Sequence, residues 1–237
     1  MDTLDLMRNA LRLATLGALA IAGSGCATAP GTPVRAAAAP AAPAALSASS
    51  PLDADLAAIL ALLPGRYAGP ATGGRLFHKI VPVVAPNFGA GAVFYHQISR
   101  DGFDSAAPFQ QKIYVFDRDP ARGFNRMRSW VFFPKQGFAN LEQDAAALRT
   151  LQPAALMNFP IECAIRWDRG DAPGRYVARV RREDCTYDSA GFRQKISPEL
   201  TYVLDRESFA LEDILYGANG QPLFPSAGLM RAARQAR

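Results

Sequence analysis

The chain has 237 residues, of which 49% are hydrophobic and 20% charged, and its formal net charge is +5. This length fits one domain or two small ones, and the apolar fraction excludes a wholly disordered chain. Because the charges are scattered rather than grouped on one helix, charge alone does not indicate binding to nucleic acid or to a membrane.

Residues 1–26 are predicted to be an export signal. The apolar stretch 13–22 follows two arginines and is too short to cross a bilayer, which takes about 20 residues. The small residues before Cys26 resemble the lipobox of bacterial lipoproteins, in which the cysteine becomes lipidated. We therefore expect lipidation at Cys26 and a location on the periplasmic side of the outer membrane. An ordinary signal peptide is the alternative, because Gly23 stands where leucine is usual.

Residues 27–50 are predicted to be a tether. They include 11 Ala and 4 Pro, and proline at that density interrupts an alanine helix. The lipid anchor would be the only contact with the membrane, and the tether would hold the folded domain away from it. That domain is predicted to occupy residues 51–230, followed by a basic tail at 231–237.

Two helices are predicted in the folded part. The sequence Ser-Pro-Leu-Asp at 50–53 is typical of a helix start, and apolar residues at helical spacing continue to Leu63. The following Pro64 and a glycine end this short N-terminal helix. One further helix is predicted near 140–150.

The rest of the folded part has the pattern of β-strands. Runs rich in β-branched and aromatic residues are separated by Gly, Pro and Asp turns, without an internal repeat or an alternation of strand and helix. The predicted strands are 75–84, 92–99, 109–117, 124–133, 161–167 and 175–182, with shorter candidates at 192–196, 200–204 and 209–215. We predict a mainly β fold, a single antiparallel β-barrel, with a sandwich as the alternative.

Polar and apolar residues are mixed on both faces of two of these strands. Tyr95 and Gln97 share one face of their strand, and Phe109 and Gln111 share one face of the next. A small packed barrel needs an apolar interior, whereas a barrel that holds a ligand tolerates polar residues inside. The pattern therefore favours a calyx-like barrel with a cavity.

Several short motifs follow one another over about residues 52–226. They are Gly65-Arg66-Tyr67, FYHQ at 94–97, PFQQKIYVFD at 108–117, Cys163, Cys185 and YGANGQPLF at 216–224. Their order resembles the CpcT/CpeT-type phycobiliprotein (chromophore) lyase family, of which the chain would be a divergent, exported lipoprotein member. The resemblance implies an antiparallel barrel with a pocket, and members of that family attach linear tetrapyrroles (bilins) to cysteines.

The resemblance also implies a bilin, or a similar amphipathic carboxylate, as a small-molecule ligand. We expect Tyr95, Gln97, Phe109 and Gln111 to line one cavity, with Arg66 or Lys112 at its mouth. The predicted ligand-binding residues are Arg66, Tyr95, His96, Gln97, Phe109, Gln110, Gln111 and Lys112.

The chain departs from the family at positions that matter for chemistry. Where the family has P-Y-R-Q-R, this chain has Phe109 in place of the tyrosine, Gln110 in place of the first arginine and Lys112 in place of the second. Glutamine cannot supply the charge that a propionate needs. Bilin attachment is therefore not expected to carry over with the fold, and no residue is nominated as catalytic. The alternative is a non-catalytic cell-envelope lipoprotein with a structural or partner-binding role.

Cys163 and Cys185 are predicted to form a disulfide. Once Cys26 is lipidated they are the remaining cysteines, and an exported chain meets an oxidising compartment. They lie near the ends of two successive strands joined by a turn. The chain has two histidines, His78 and His96, and no metal-binding motif, so no metal site is expected.

Arginines spaced by two residues place several guanidinium groups on one sheet face. A solvated outer surface is the ordinary expectation, and the alternative is a contact for a carboxylated ligand or a lipid phosphate. RNA is not expected as a partner, because an exported protein seldom meets it. The residues are Arg126, Arg128, Arg175, Arg179, Arg181 and Arg182.

Overall fold

The computed structural model describes residues 51–119, 121–132, 138–160, 163–189, 192–224, 226 and 228–236. The predicted export signal, the lipidation site Cys26 and the tether lie outside these residues. Helix α1 spans Pro51–Leu62 and helix α2 spans Ala145–Thr150. Within the described ranges, neither helix has the length and apolar character that crossing a bilayer requires.

Strands are the main secondary structure of the described chain. Short 3-10 turns at Pro86–Phe88, Leu141–Gln143 and Pro153–Ala155 lie between some of them. The strands are β1 (Gly65–Ala71), β2 (Gly74–Pro82), β3 (Ala92–Ser99), β4 (Gln110–Asp119), β5 (Phe124–Val131), β6 (Met157–Asn158), β7 (Ile165–Arg169), β8 (Tyr176–Val180), β9 (Tyr187–Ser189), β10 (Gln194–Leu204), β11 (Ser208–Tyr216) and β12 (Met230–Arg234).

Ten of these strands close into an antiparallel barrel. Each strand from β1 to β5 pairs with the next, and the order continues through β7, β8, β10, β11 and β12 back to β1. The short strands β6 and β9 add to β5 and β10. The predicted mainly β fold and the single antiparallel barrel are therefore confirmed, and closure excludes the sandwich, which would leave open edges.

The last strand corrects the prediction of a basic tail at 231–237. Strand β12 pairs with both β1 and β11, and it completes the barrel. The Arg234 guanidinium lies 4.7 Å from the centre of the Tyr67 ring and donates a hydrogen bond to the carbonyl oxygen of Pro64 at 2.7 Å. The spacing of Arg231 and Arg234 resembles a solvated tail, but both residues belong to β12, and Arg234 contacts the rest of the fold.

Helix α1 packs its apolar face against the barrel core. Leu56, Ile59 and Leu63 belong to the same buried cluster as the inward-facing aromatic residues. Fully burying each such side chain contributes on the order of 1.5–3 kcal/mol. At the polar edge of the helix, Asp55 accepts a hydrogen bond from Arg169 at 2.8 Å, which fixes the helix to β7.

A second core lies on the outer side of β3, β4 and β5. Residues 138–156 cross these strands, and Leu148 of α2 packs there with Tyr95, Ile113 and Trp130. The Asp144 side chain begins α2 by accepting hydrogen bonds from two backbone amides of the first turn. Because these strands are covered on both sides, neither of their faces has the purely polar pattern of a solvated surface.

Candidate functional site

A chain of hydrogen-bonded polar side chains runs through the barrel interior. His78 on β2 and His96 on β3 face inward, and His78 Nδ1 lies 3.1 Å from His96 Nε2. His96 Nδ1 lies 2.9 Å from the Tyr114 hydroxyl on β4. The Phe209 ring packs against both imidazoles, and all four residues are buried.

The same chain continues towards the end of the barrel where β11 ends. Tyr114 is hydrogen-bonded to Tyr202, which in turn bonds the buried Lys112. Lys112 Nζ lies 3.8 Å from Asp213 Oδ2, and the side chain of Asp213 is 31% exposed. This series of hydrogen-bonded side chains therefore connects a partly exposed carboxylate to a pair of fully enclosed histidines.

The protonation states along this chain follow from burial and from its one cation. Burial, helped by the charge of Lys112, lowers the pKa of His78 to about 4. Burial and the neighbouring His78 hold the pKa of His96 well below its usual value. Burial opposes the charge of Lys112, but Tyr202 and Asp213 raise its pKa on balance. At neutral pH both imidazoles are neutral and the cation is paired, so these groups satisfy one another.

Three of the predicted ligand-binding residues do meet on one face, as the strand alternation predicts. The Tyr95 hydroxyl donates to Gln97 Oε1 at 2.8 Å, and Gln111 Nε2 donates to the Tyr95 oxygen at 2.5 Å. Gln111 also donates to the carbonyl oxygen of Phe138, which lies 3.1 Å from the Tyr95 hydroxyl oxygen. Burial raises the pKa of Tyr95 to about 12, so its phenol keeps the proton that it donates. This face is the outer one, and the three side chains fasten the covering segment 138–156.

A buried lysine that the sequence did not single out completes this fastening. Lys79 Nζ donates to Asp104 at 2.9 Å, to Asn140 at 2.6 Å and to Glu142 at 2.5 Å. Its hydrogen bond is the main cause that lowers the pKa of Asp104, which also pairs with the exposed Arg66 at 3.0 Å. The partners are 25 or more residues away in the chain. No local pattern could have connected them with Lys79.

The other predicted ligand-binding residues lie elsewhere. Phe109 is 63% exposed with the Arg100 guanidinium 5.2 Å from its ring centre, so it does not join Tyr95 and Gln97. Lys112 lies inside the barrel rather than at the mouth of an outer cavity, because strict alternation turns it away from Gln111. His96 is inside as well, and Gln110 is half-buried at the start of β4.

The predicted disulfide is confirmed. The Cys163 and Cys185 sulfurs are bonded, and their Cα atoms are 5.0 Å apart. Both residues are buried, and they join the segment before β7 to the segment after β8. The bridge therefore fixes the end of the β7–β8 hairpin opposite its turn.

A groove lies beside this bridge on the outer side of β7 and β8. Its cavity volume is about 510 Å³, within the usual range of small-molecule sites. Four arginines and two aspartates line it, together with one aromatic ring and Cys163. We call it the basic groove, and its polar lining residues are Arg122, Arg166, Arg179, Arg181, Asp168 and Asp184.

The arginines of this face stand directly opposite one another across three strands. Arg126 on β5 is the register partner of Arg166 on β7, which is the partner of Arg179 on β8. Arg126 is held by Asp117 at 2.7 Å, and Arg166 pairs with Asp168 at 2.9 Å. In the described part of the chain, no carboxylate lies within ion-pair distance of Arg179. Like charges directly opposite each other destabilise a sheet, so Arg179 faces Arg166 unfavourably as long as no anion binds there.

The other predicted arginines are accounted for by neighbours. Arg128 pairs with Asp117 at 3.1 Å, Arg175 with Asp171 at 3.0 Å, and Arg181 with acidic neighbours at 3.7 and 3.8 Å. The Arg182 guanidinium lies 4.4 Å from the centre of a tyrosine ring. Over the ranges that the structure describes, no three His, Cys, Asp or Glu side chains are arranged to hold a metal ion.

The barrel has a counterpart among known proteins, at the level of the fold. No protein-family model and no curated protein matches the chain. The structure of the selenomethionine-labelled CRL protein of Arabidopsis matches with a TM-score of 0.56 and 12% sequence identity. The match covers 77% of this chain and 98% of that chain. At this identity the likeness supports the β-barrel and carries no activity from one protein to the other.

Proposed function

We propose that the protein is a non-catalytic binding protein that holds an anionic, amphipathic small molecule in the basic groove. The observation that carries the proposal is the row of facing arginines ending at Arg179, which has no carboxylate partner among the described residues. A planar guanidinium matches a carboxylate through two parallel hydrogen bonds. A ligand carboxylate between Arg166 and Arg179 would therefore relieve their repulsion and gain directed contacts.

The barrel interior supports a structural role rather than a binding one. Its polar groups already pair with each other from His78 to Asp213, and large aromatic side chains fill the space around them. The lyase family's tyrosine and two arginines are replaced by Phe109, Gln110 and Lys112. These substitutions support the absence of bilin-attaching activity in a chain that resembles the CpcT/CpeT-type family.

A linear tetrapyrrole remains the best first probe for the groove. It is amphipathic, carries two propionates and is the ligand that the family resemblance implies. Full-length protein titrated with biliverdin should bind, and the Arg166→Gln and Arg179→Gln variants should each bind about tenfold more weakly or worse, because each removes a charged hydrogen-bond donor. Arg75→Gln, an exposed arginine on β2, is the control of equal charge. Binding of biliverdin dimethyl ester as tight as that of the acid would refute the proposal.

We further propose that this binding takes place outside the cytoplasm, on a lipoprotein anchored through Cys26 on the periplasmic side of the outer membrane. A buried structural disulfide such as Cys163–Cys185 is usual in exported proteins and rare in cytosolic ones, and this supports the proposal. Lipid labelling in the bacterial host should be abolished by Cys26→Ala. Unchanged labelling would contradict anchoring at this residue.

A second candidate function is partner binding by a cell-envelope lipoprotein. Two exposed rings, Phe192 and Phe224, lie 6.0 Å apart, and aromatic residues are enriched at protein interfaces. A photo-crosslinker in place of Phe192 should capture one discrete protein in cells, whereas the same group in place of Arg75 should not. This function takes precedence if no anionic probe binds the basic groove and the capture succeeds.

A further inference from the structure

Strand β5 changes its neighbour part-way along its length. It pairs with β7 from Asn125 to Met127 and with β6 at Trp130–Val131, so Arg128 and Ser129 lie between the two pairings. A slot of about 130 Å³ opens at this seam. We call it the seam slot, and its lining residues are Arg128, Ser129, Trp130, Phe159, Pro160, Cys163, Ala164 and Ile165.

The seam slot continues the basic groove. Cys163 and Ala164 line both, so the two concavities share a wall beside the disulfide. The groove is lined mainly by charged side chains, whereas aromatic, proline and aliphatic side chains make up most of the slot. An anionic end and an apolar end of one molecule would therefore find complementary surroundings in the two adjoining concavities.

Two buried polar atoms in the slot lining lack a partner. Ser129 is 5% exposed, and its Oγ makes no hydrogen bond within the described residues. The same holds for Arg128 Nε, although another nitrogen of that guanidinium bonds Asp117. Buried donors are rarely left unpaired in folded proteins, so each such atom calls for an explanation. A bound molecule with a hydrogen-bonding atom in the slot would supply one.

We propose that the seam slot takes the apolar end of the anionic ligand held in the basic groove, and that this end carries one polar atom that pairs with Ser129. The inference rests on the proposed function, because the anionic group is what places the ligand beside Cys163 and Ala164. It adds the ligand class: a carboxylate with an apolar arm bearing a single hydroxyl or carbonyl.

A series of alkyl carboxylates of increasing length tests how much apolar chain the slot can bury. Calorimetric titration of the full-length protein with butanoate through dodecanoate should show affinity rising about fourfold for each buried CH₂ until the slot is full. Longer chains should then bind no more tightly. Pro160→Phe, at a residue that lines the slot but not the basic groove, should remove the dependence on chain length while leaving butanoate binding unchanged. Phe159→Ala should move the plateau to longer chains.

Fluorescence locates the bound chain independently. A carboxylate brominated along its chain should quench Trp130, which lines the slot, more than Trp167, which faces the barrel interior. Quenching should therefore survive in Trp167→Phe and largely disappear in Trp130→Phe. The opposite pattern would place the chain in the barrel and overturn the proposal.

The role of Ser129 is tested by pairing a protein change with a ligand change. Ser129→Ala should weaken binding of a hydroxylated octanoate that fits the slot by about threefold to tenfold, the value of one hydrogen bond, and leave octanoate itself unaffected. The same variant should not lower the unfolding midpoint, because it removes a hydroxyl that has no partner in the described structure. Equal effects on both ligands would show that Ser129 does not form a hydrogen bond with the hydroxyl group of the ligand.

The outcomes separate the two proposals. Butanoate binding that depends on Arg179 but does not increase with chain length would leave the basic groove intact and overturn the slot. A chain-length dependence that persists in Pro160→Phe would overturn the slot as well. If carboxylates of every length fail to bind, the proposed function fails, and the inference built on it fails with it.

Discussion

The interior polar chain and the basic groove contain comparable numbers of ionisable groups but satisfy them in opposite ways. Inside the barrel, Lys112 has Asp213 and Tyr202, and the two histidines have each other. On the outer surface, Arg166 pairs with Asp168, but Arg179 faces Arg166 and has no carboxylate partner among the described residues. Polar groups that hydrogen-bond one another within the chain stabilise the fold. Like charges that the fold places opposite each other remain available to bind a ligand.

The comparison also shows why polarity alone does not distinguish groups that the fold satisfies from groups that could bind a ligand. The more unusual features of the sequence are His96, Lys112 and the cluster formed by Tyr95, Gln97 and Gln111. Their polarity suggests contacts with a ligand. In the structure, each of these side chains is hydrogen-bonded to other residues of the fold. Arginines on a surface strand are ordinary, and their significance depends on the cross-strand register.

The largest expected effect tests whether the interior chain is structural. Lys112→Ala removes the cation from Tyr202 and Asp213 and leaves a cavity, so the free energy of unfolding should fall by about 3–5 kcal/mol. Urea unfolding followed by circular dichroism measures it. Lys195→Ala, at an exposed lysine on β10, is the control and should change stability little. A loss below about 1 kcal/mol in Lys112→Ala would contradict a stabilising interior chain.

The disulfide next to the groove should have the second largest effect. Cys163 and Cys185 are separated by 22 residues, and closing a loop of this size contributes about 3 kcal/mol in the chain-entropy account. The double variant Cys163→Ser/Cys185→Ser should therefore unfold at lower urea concentration. Wild-type protein under reducing conditions should lose the same amount, and the double variant should not respond to reductant.

Acid should weaken the interior before it affects the surface ion pairs. In the unfolded chain each histidine binds a proton near pH 6.5, whereas in the fold the pKa of His78 is about 4 and that of His96 is well below its usual value. Their contribution is fully present above pH 6.5 and is lost as the pH falls towards 4. At about pH 5 the loss should be about 2 kcal/mol for His78, and His96 should add a loss of the same sign.

Unfolding free energies measured between about pH 7.5 and 5 check this expectation. The variant His78→Gln should show roughly half of the wild-type slope, whatever its absolute stability. Asp104 and Asp205 have lowered pKa values, so their contributions are lost only at more acidic pH and leave this window clear. A flat profile in the wild type would show that the histidines are not held neutral.

The sequence predicts the fold better than the site. Turn residues and alternating patterns were sufficient for an antiparallel barrel, and strand alternation correctly placed Tyr95, Gln97 and Gln111 on one face. The pattern could not say which face was inner, because residues 138–156 bury the outer face as deeply as the barrel buries the inner one. Both faces of β3 and β4 therefore look alike in the sequence.

Long-range contacts explain the other features that the sequence does not predict. Lys79 is bound by groups from two separate loops, and the pairing of Arg126 with Arg166 depends on a register between strands about 40 residues apart. The terminal arginines look solvated until β12 is known to close the barrel. Such facts follow from topology, which composition and spacing do not determine.

The smallest expected effect on stability is the most informative for function. Arg179→Gln removes one of two guanidinium groups that face each other across β7 and β8, and it costs no ion pair in the described structure. Stability should stay the same or rise by a few tenths of a kcal/mol, since like charges opposite each other contribute about 0.2–1 kcal/mol of repulsion. Arg126→Gln, matched in charge, should destabilise because Asp119 loses its ion-pair partner and Asp117 keeps only Arg128. A groove that binds a ligand through unpaired charges is less stable without it, so Arg179→Gln should bind carboxylates more weakly while unfolding no more easily.

If Arg179→Gln instead unfolds as readily as Arg126→Gln, Arg179 belongs with the groups that the fold already satisfies, and the contrast between the two regions disappears.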